Sequence, residues 1–168
     1  MVHLIKFVSR SEDETFRLGC TLGGHLLKGD VVALRGDLGS GKSVLARGIM
    51  RGLGVGGAIP SPSFIMVANY KGRLTVNHID LYRIESPEEI ASLGLEEIIL
   101  SDGVSIIEWA EKIEDLLPER TIRVSISTFD DPNLRLITLE SPDTDLRSRL
   151  TSVAIDILRE SVNVRSGD

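Results

Sequence analysis

The stretch Gly36-Asp37-Leu38-Gly39-Ser40-Gly41-Lys42-Ser43 constrains this chain more than any other. Its spacing is G-x-x-x-x-G-K-[ST], the pattern of a loop that wraps the phosphates of a nucleotide. The flanks suit that reading. Val31-Val32-Ala33-Leu34-Arg35 is a short β-branched apolar run of buried-strand type. From Val44 to Leu53 the residues Val44, Leu45, Ile49 and Leu53 recur at helical spacing. A strand, a glycine loop and a helix in that order is the setting in which the pattern has a mechanism. Gly36 and Gly41 let the backbone bend around a triphosphate, so that successive N–H groups and the helix N-terminus point at anionic oxygens. Lys42 is then the mobile cation for the β- and γ-phosphates, and Ser43 offers its hydroxyl to magnesium. The expected nucleotide-binding set is Gly36, Asp37, Leu38, Gly39, Ser40, Gly41, Lys42, Ser43 and Val44.

Composition narrows the setting. With 168 residues, 42% of them hydrophobic and 26% charged, one domain with a real core is expected. It is placed at residues 1–160, with a frayed tail at 161–168. A formal charge of −6 argues against broad electrostatic binding to nucleic acid. The single Cys20 cannot form an internal disulfide, which fits a reducing compartment. With neither a long apolar run nor a signal peptide in the sequence, the expected location is the cytoplasm, away from any membrane. His3, His25, His78 and Cys20 are scattered without zinc-type spacing.

Along the chain, Leu4 to Val8 reads as a strand. Ser11-Glu12-Asp13-Glu14 is a capping box that opens a helix to about Leu27, with Phe16, Cys20, Gly23 and Leu27 on one side. Gly19, Gly23 and Gly24 each cost that helix about 1 kcal/mol against alanine, which makes sense if it packs closely on another element. Ile59-Pro60-Ser61-Pro62-Ser63-Phe64 is an extended loop, since alternating prolines exclude helix. Ile65–Tyr70 and Leu74–Ile79 form a hairpin across Lys71-Gly72-Arg73. Ser86-Pro87-Glu88-Glu89 caps a short helix that Gly94 stops. Gly103–Ile107 is a strand ending in Glu108-Trp109, and Thr121–Ser127 with Leu134–Glu140 form a second hairpin. A last helix after Ser141-Pro142-Asp143 carries Leu146, Leu150, Val153, Ile157 and Leu158 as one stripe. The sum is an α/β fold: a P-loop NTPase-type three-layer sandwich with a mixed, mainly parallel sheet and added hairpins.

A P-loop needs a carboxylate at a strand end for its metal. Asp80 and Glu108 both qualify, and spacing alone does not say which holds the metal and which aligns water. Trp109 follows Glu108 and so falls near the nucleotide's edge. Arg135, Arg147 and Arg149 raise the question of a kinase lid, although Arg147 and Arg149 read as exposed on the last helix. No Asn-Lys-x-Asp and no Asp-x-x-Gly stands in the chain to suggest a GTPase.

Five signatures in order make residues 11 to 127 resemble the bacterial TsaE family, also called YjeE. They are the P-loop; Ser61-Pro62-Ser63-Phe64; His78-Ile79-Asp80-Leu81-Tyr82-Arg83; Pro87-Glu88-Glu89 with Leu93-Gly94; and Glu108-Trp109. The resemblance implies an ATPase needed for threonylcarbamoyladenosine synthesis on tRNA. It further implies ATP with Mg2+, the metal held by Ser43 and Glu108, and Asp80 left for the catalytic water or the metal's outer shell. Lys42, Asp80 and Glu108 are thus the expected catalytic residues, with Thr15 close to the nucleotide. The family also implies docking on the TsaB–TsaD complex, with tRNA met only indirectly. Hydrolysis would serve turnover of that complex and not the carbamoyl transfer itself. Ser61, Pro62, Ser63, Phe64, His78, Tyr82, Arg83 and Trp109 are the switch or partner-linked residues. The chain departs from the family in having Ser43 and Ser63 where threonine is usual, and Val44 where a second threonine is common. No role carries over to the C-terminal helix. The competing expectation is a small P-loop kinase that phosphorylates a metabolite.

Overall fold

The computed structural model describes residues 2–60 and 65–165. The expected switch residues Ser61, Pro62, Ser63 and Phe64 lie outside the described residues. The strands are β1 (His3–Ser9), β2 (Val31–Arg35), β3 (Val67–Lys71), β4 (Thr75–Asp80), β5 (Val104–Glu108), β6 (Ile122–Thr128) and β7 (Arg135–Ser141). They form one sheet in the order β1-β7-β6-β2-β5-β4-β3. The central run β6-β2-β5-β4 is parallel. Its β2 and β5 read as near-continuous apolar segments because both of their faces are covered. Antiparallel pairs flank it on both sides: β3 on β4, β7 on β6, and β1 on β7.

The alternation of side chains along β2 sorts the core into two clusters. Val32 and Leu34 pack with α1 (Glu12–His25), α2 (Lys42–Gly52) and α5 (Thr144–Arg165). Val31 and Ala33 face the opposite way, towards α3 (Pro87–Ser92), α4 (Leu95–Ile99) and the 3-10 segment Ala110–Leu116. The fold is α/β with three layers, as the sequence indicated. No helix among the described residues is long and apolar enough to cross a membrane.

The helical glycines explain themselves where α1 crosses α2. A Cβ at Gly19 would stand 2.6 Å from the Leu45 carbonyl oxygen. At Gly48 it would strike the Phe16 carbonyl, and at Gly52 the Cys20 carbonyl. The backbones touch where side chains would normally separate them, and that approach offsets the glycines' poor helix propensity. Both capping boxes form: the Glu14 amide donates to the Ser11 hydroxyl at 3.1 Å, and the Glu89 amide to the Ser86 hydroxyl at 3.2 Å. In each, the glutamate accepts from the residue before the cap, Arg10 or Glu85.

Several expectations are corrected. The buried face of α1 is Thr15, Leu18, Gly19, Leu22 and Gly23, while Leu27 lies past the helix end and is exposed. The first hairpin strand begins at Val67, not Ile65. Gly94 does stop the short helix α3, in left-handed conformation at φ 62°, but a second short helix not expected from the sequence, α4, begins directly after it. Leu158 points to solvent, off the stripe of α5. Arg149 is not a solvated lid residue. It is drawn in by Asp30, whose Oδ1 accepts from its Nη2 at 3.1 Å.

Candidate functional site

β2 is the central parallel strand, and the P-loop leaves its carboxyl end to enter α2. Open α/β sheets bind ligands at the carboxyl ends of their strands. Gly36 and Gly41 take φ values of 149° and 109°, and Gly41 is the residue before the first turn of α2. The α2 N-terminus has no side-chain cap and no acid in its first turn, whereas α1 and α3 are each capped by a serine and carry acids there. Its N–H groups are therefore left for an external anion.

A cleft of about 410 Å³ opens over this end. Residues 38–44 line it, with Asp80, Tyr82, Arg83, Glu108 and Trp109 opposite and Glu12 contributed by α1. The two strand-end carboxylates arrive together because β4 and β5 are parallel and in register, with Asp80 beside Glu108. Glu108 is only 1% exposed. Its Oε1 accepts from the Ser43 hydroxyl at 2.6 Å, and its Oε2 lies 2.6 Å from Nε2 of His78, itself buried on β4. Asp80 Oδ1 accepts from the Tyr82 amide at 2.9 Å, which turns the chain out of β4.

Lys42 is almost fully buried. Its ammonium donates to the carbonyls of Gly36 and Asp37 and lies 4.0 Å from the centre of the Trp109 ring. Burial pushes its pKa down, and the carboxylates of Glu108, Glu111, Asp80 and Asp37 push the other way without cancelling the effect. Trp109 holds its ring there from a left-handed backbone, φ 61°, unusual for a residue with a side chain. Tyr82 packs against the same ring, tilted by 38°, at 5.2 Å between ring centres.

Thr15 stands just outside the cleft. Its methyl would lie 3.9 Å from a Cβ on Gly41, and its hydroxyl is engaged with Ser9 at 2.7 Å. Two contributors were not singled out from sequence, and a third, Arg135, stands here in a role other than the one considered for it. Glu12 reaches the cleft from the first turn of α1. Lys112 donates to the carbonyls of Leu81, Tyr82 and Ile84, fixing the segment after Asp80. Arg135, weighed only as a lid, donates its Nε to the Ser40 carbonyl at 2.8 Å. No spacing rule finds Lys112 or Arg135, because each acts through backbone carbonyls far away in sequence.

Compared with known proteins, residues 9–136 match the family described as "Threonylcarbamoyl adenosine biosynthesis protein TsaE". The chain is 40% identical over 129 residues to the tRNA threonylcarbamoyladenosine biosynthesis protein TsaE of Treponema pallidum (strain Nichols), covering 77% of this chain and 96% of that one. It is 40% identical over 116 residues to the protein of the same name from Haemophilus influenzae, covering 67% and 73%. A crystal structure of YdiB from Bacillus subtilis superposes with a TM-score of 0.76 at 28% identity, covering 96% of this chain and 98% of that one.

Proposed function

The chain belongs to the TsaE family of tRNA threonylcarbamoyladenosine biosynthesis proteins, and on that premise we propose that it binds ATP with Mg2+ and hydrolyses it to ADP and phosphate. The observation that carries the reading is the 2.6 Å hydrogen bond from Ser43 to Glu108 beside the uncapped start of α2. A hydroxyl and a buried carboxylate meeting at the mouth of an anion-binding loop form a hard-oxygen donor pair, which suits magnesium. When bound, the ion neutralises phosphate charge as the γ-phosphoryl leaves. Ser43 and Glu108 would hold it.

The loop N–H groups orient the triphosphate. Lys42 needs only to exchange the carbonyls of Gly36 and Asp37 for phosphate oxygens, and the gain of anionic partners offsets the burial that now depresses its pKa. Asp80, beside Glu108 at the next strand end, is the group to align the attacking water or to support the metal's outer shell. The kinase alternative has less support. Arg149 is engaged by Asp30 and Arg135 by the P-loop backbone, so neither is a mobile lid.

The partner in this reading is the TsaB–TsaD complex, with tRNA reached only through it. Leu38 at the P-loop tip is 72% exposed and Tyr82 is 45% exposed, so the rim of the cleft offers apolar surface for a covering protein. Efficient hydrolysis in P-loop proteins needs an ordered switch and a cation on the γ-phosphate, worth about 10³–10⁵ in rate where an arginine finger provides it. We therefore expect the isolated chain to turn over slowly and to accelerate in the complex. Steady-state ATP turnover, alone and with TsaB–TsaD added, is the test. Fast turnover alone, indifferent to the partners, would refute the coupling, and phosphate transfer to a metabolite would revive the kinase.

A further inference from the structure

We propose that Arg135 is a positioning residue for nucleotide binding, a guanidinium carried on β7 that sets the peptide planes of the P-loop. The inference rests on the nucleotide-binding reading of the same cleft. Arg135 is half-buried at the first position of β7. Its Nη1 donates to the carbonyls of Pro132, at 2.7 Å, and Leu134, at 2.9 Å, which fixes the group on its own hairpin. The other edge then faces the P-loop. Nε donates to the Ser40 carbonyl at 2.8 Å and Nη2 approaches the Gly39 carbonyl at 3.4 Å.

The consequence follows from peptide geometry. No peptide bond in the described structure is cis, and in a trans unit the C=O and N–H point in opposite directions. Drawing the Ser40 carbonyl towards Arg135 therefore turns the Gly41 N–H away from it, and Gly41 lines the cleft. The preceding unit is held at both ends as well. The Gly39 carbonyl faces Arg135 while the Ser40 N–H closes a turn on the Asp37 carbonyl at 3.1 Å. Glycine at 39 and 41 leaves these planes free to rotate, since both positions take positive φ and a Cβ at Gly39 would meet nothing within 4 Å. An external clamp is what such a loop lacks in its own sequence. A guanidinium is suited to it, because its planar edge holds two carbonyls at fixed spacing where an ammonium holds points.

The test compares the whole protein with Arg135→Gln, Arg135→Lys and Lys42→Ala, reading ADP affinity by calorimetry and the Gly41 amide by ¹⁵N NMR and hydrogen exchange. Arg135→Gln should weaken ADP about tenfold, the loss of one well-placed charged hydrogen bond. It should also displace the Gly41 amide signal and speed its exchange in the ligand-free protein. Arg135→Lys, which keeps the charge without the planar edge, should weaken ADP by a smaller factor and displace the same amide. Unchanged ADP affinity, or weakened affinity with the Gly41 amide unmoved, overturns the assignment in either variant, so the lysine variant decides if the glutamine one does not fold. Lys42→Ala separates the two levels. If it binds ADP as the parent does, the nucleotide site itself is misassigned. If it loses ADP while the Arg135 variants keep it, only the role of Arg135 falls.

Discussion

Replacing Gly48 by alanine adds one methyl group where α2 meets α1. On an isolated helix the change is favourable by about 1 kcal/mol. Here the new Cβ would collide with the Phe16 carbonyl and stand 3.0 Å from the Gly19 Cα. These are backbone atoms, so no rotamer change relieves the clash and the helices must part. Overpacking of this kind costs about 1–3 kcal/mol, and a rigid backbone neighbour puts it at the upper end. The balance is a loss of about 2 kcal/mol. Gly24→Ala on the same helix pair is the control: its Cβ meets nothing within 4 Å, so only the propensity term acts, a gain of about 1 kcal/mol. Urea unfolding with unchanged slope measures both, and the midpoints should move in opposite directions. In a chain of this size each kcal/mol corresponds to about 2–4 °C in Tm. Gly48→Ala as stable as the parent, or more so, would refute the close-approach account of the α1–α2 glycines.

Lys42→Ala should abolish or greatly weaken ATP binding with the fold intact, read by calorimetry beside circular dichroism. Glu108→Ala should shift activity to much higher magnesium, or to manganese, whereas Asp80→Ala should lower turnover with nucleotide affinity largely kept; a magnesium titration of both separates them, and the reverse pattern means their roles are exchanged. Asp30→Ala removes the bidentate partner of the Arg149 guanidinium, whose side chain is 16% exposed, leaving it the His25 carbonyl and Asp145 at 3.6 Å, and should cost about 3 kcal/mol in urea unfolding. Asp30→Leu combined with Arg149→Leu should recover much of that loss; a double variant as unstable as the single one would show that the pair is not the cause.

What the sequence made legible was local. The P-loop with its strand and helix, both capping boxes and both hairpins are patterns written within a few residues, and each was found. The adjacency of Asp80 and Glu108 was legible as two strand-end acids, although the register that joins them was not. The stripe of α1 was misplaced although Leu18 and Leu22 mark it, because the rest of its contact surface is glycine backbone and Thr15, a polar residue buried where its hydroxyl meets Ser9. Apolar periodicity registers neither. Short helices such as α4 escape for a related reason: five residues carry too little period to separate from a loop. Lys112 and Arg135 recognise carbonyls, which every residue has, so no residue type at their targets marks the contact.

The pairing of β1 with β7 has a consequence for how the chain is made. His3 lies opposite Ser141 and Ser9 opposite Arg135, so among the described residues β1 joins the sheet only through β7, which is synthesised long after it. At translation rates of about 5–20 residues per second, β1 leaves the ribosome on the order of ten seconds before its partner exists. The β2–β5 core and the α1–α2 contact can assemble in that interval, with β1 as an unpaired edge beside them. A circular permutant that joins the two ends and opens the chain after β1 would place β1 directly behind the C-terminal helix. Its refolding should be faster if late docking of β1 limits the rate, and unchanged refolding would show that the sheet closes by another step.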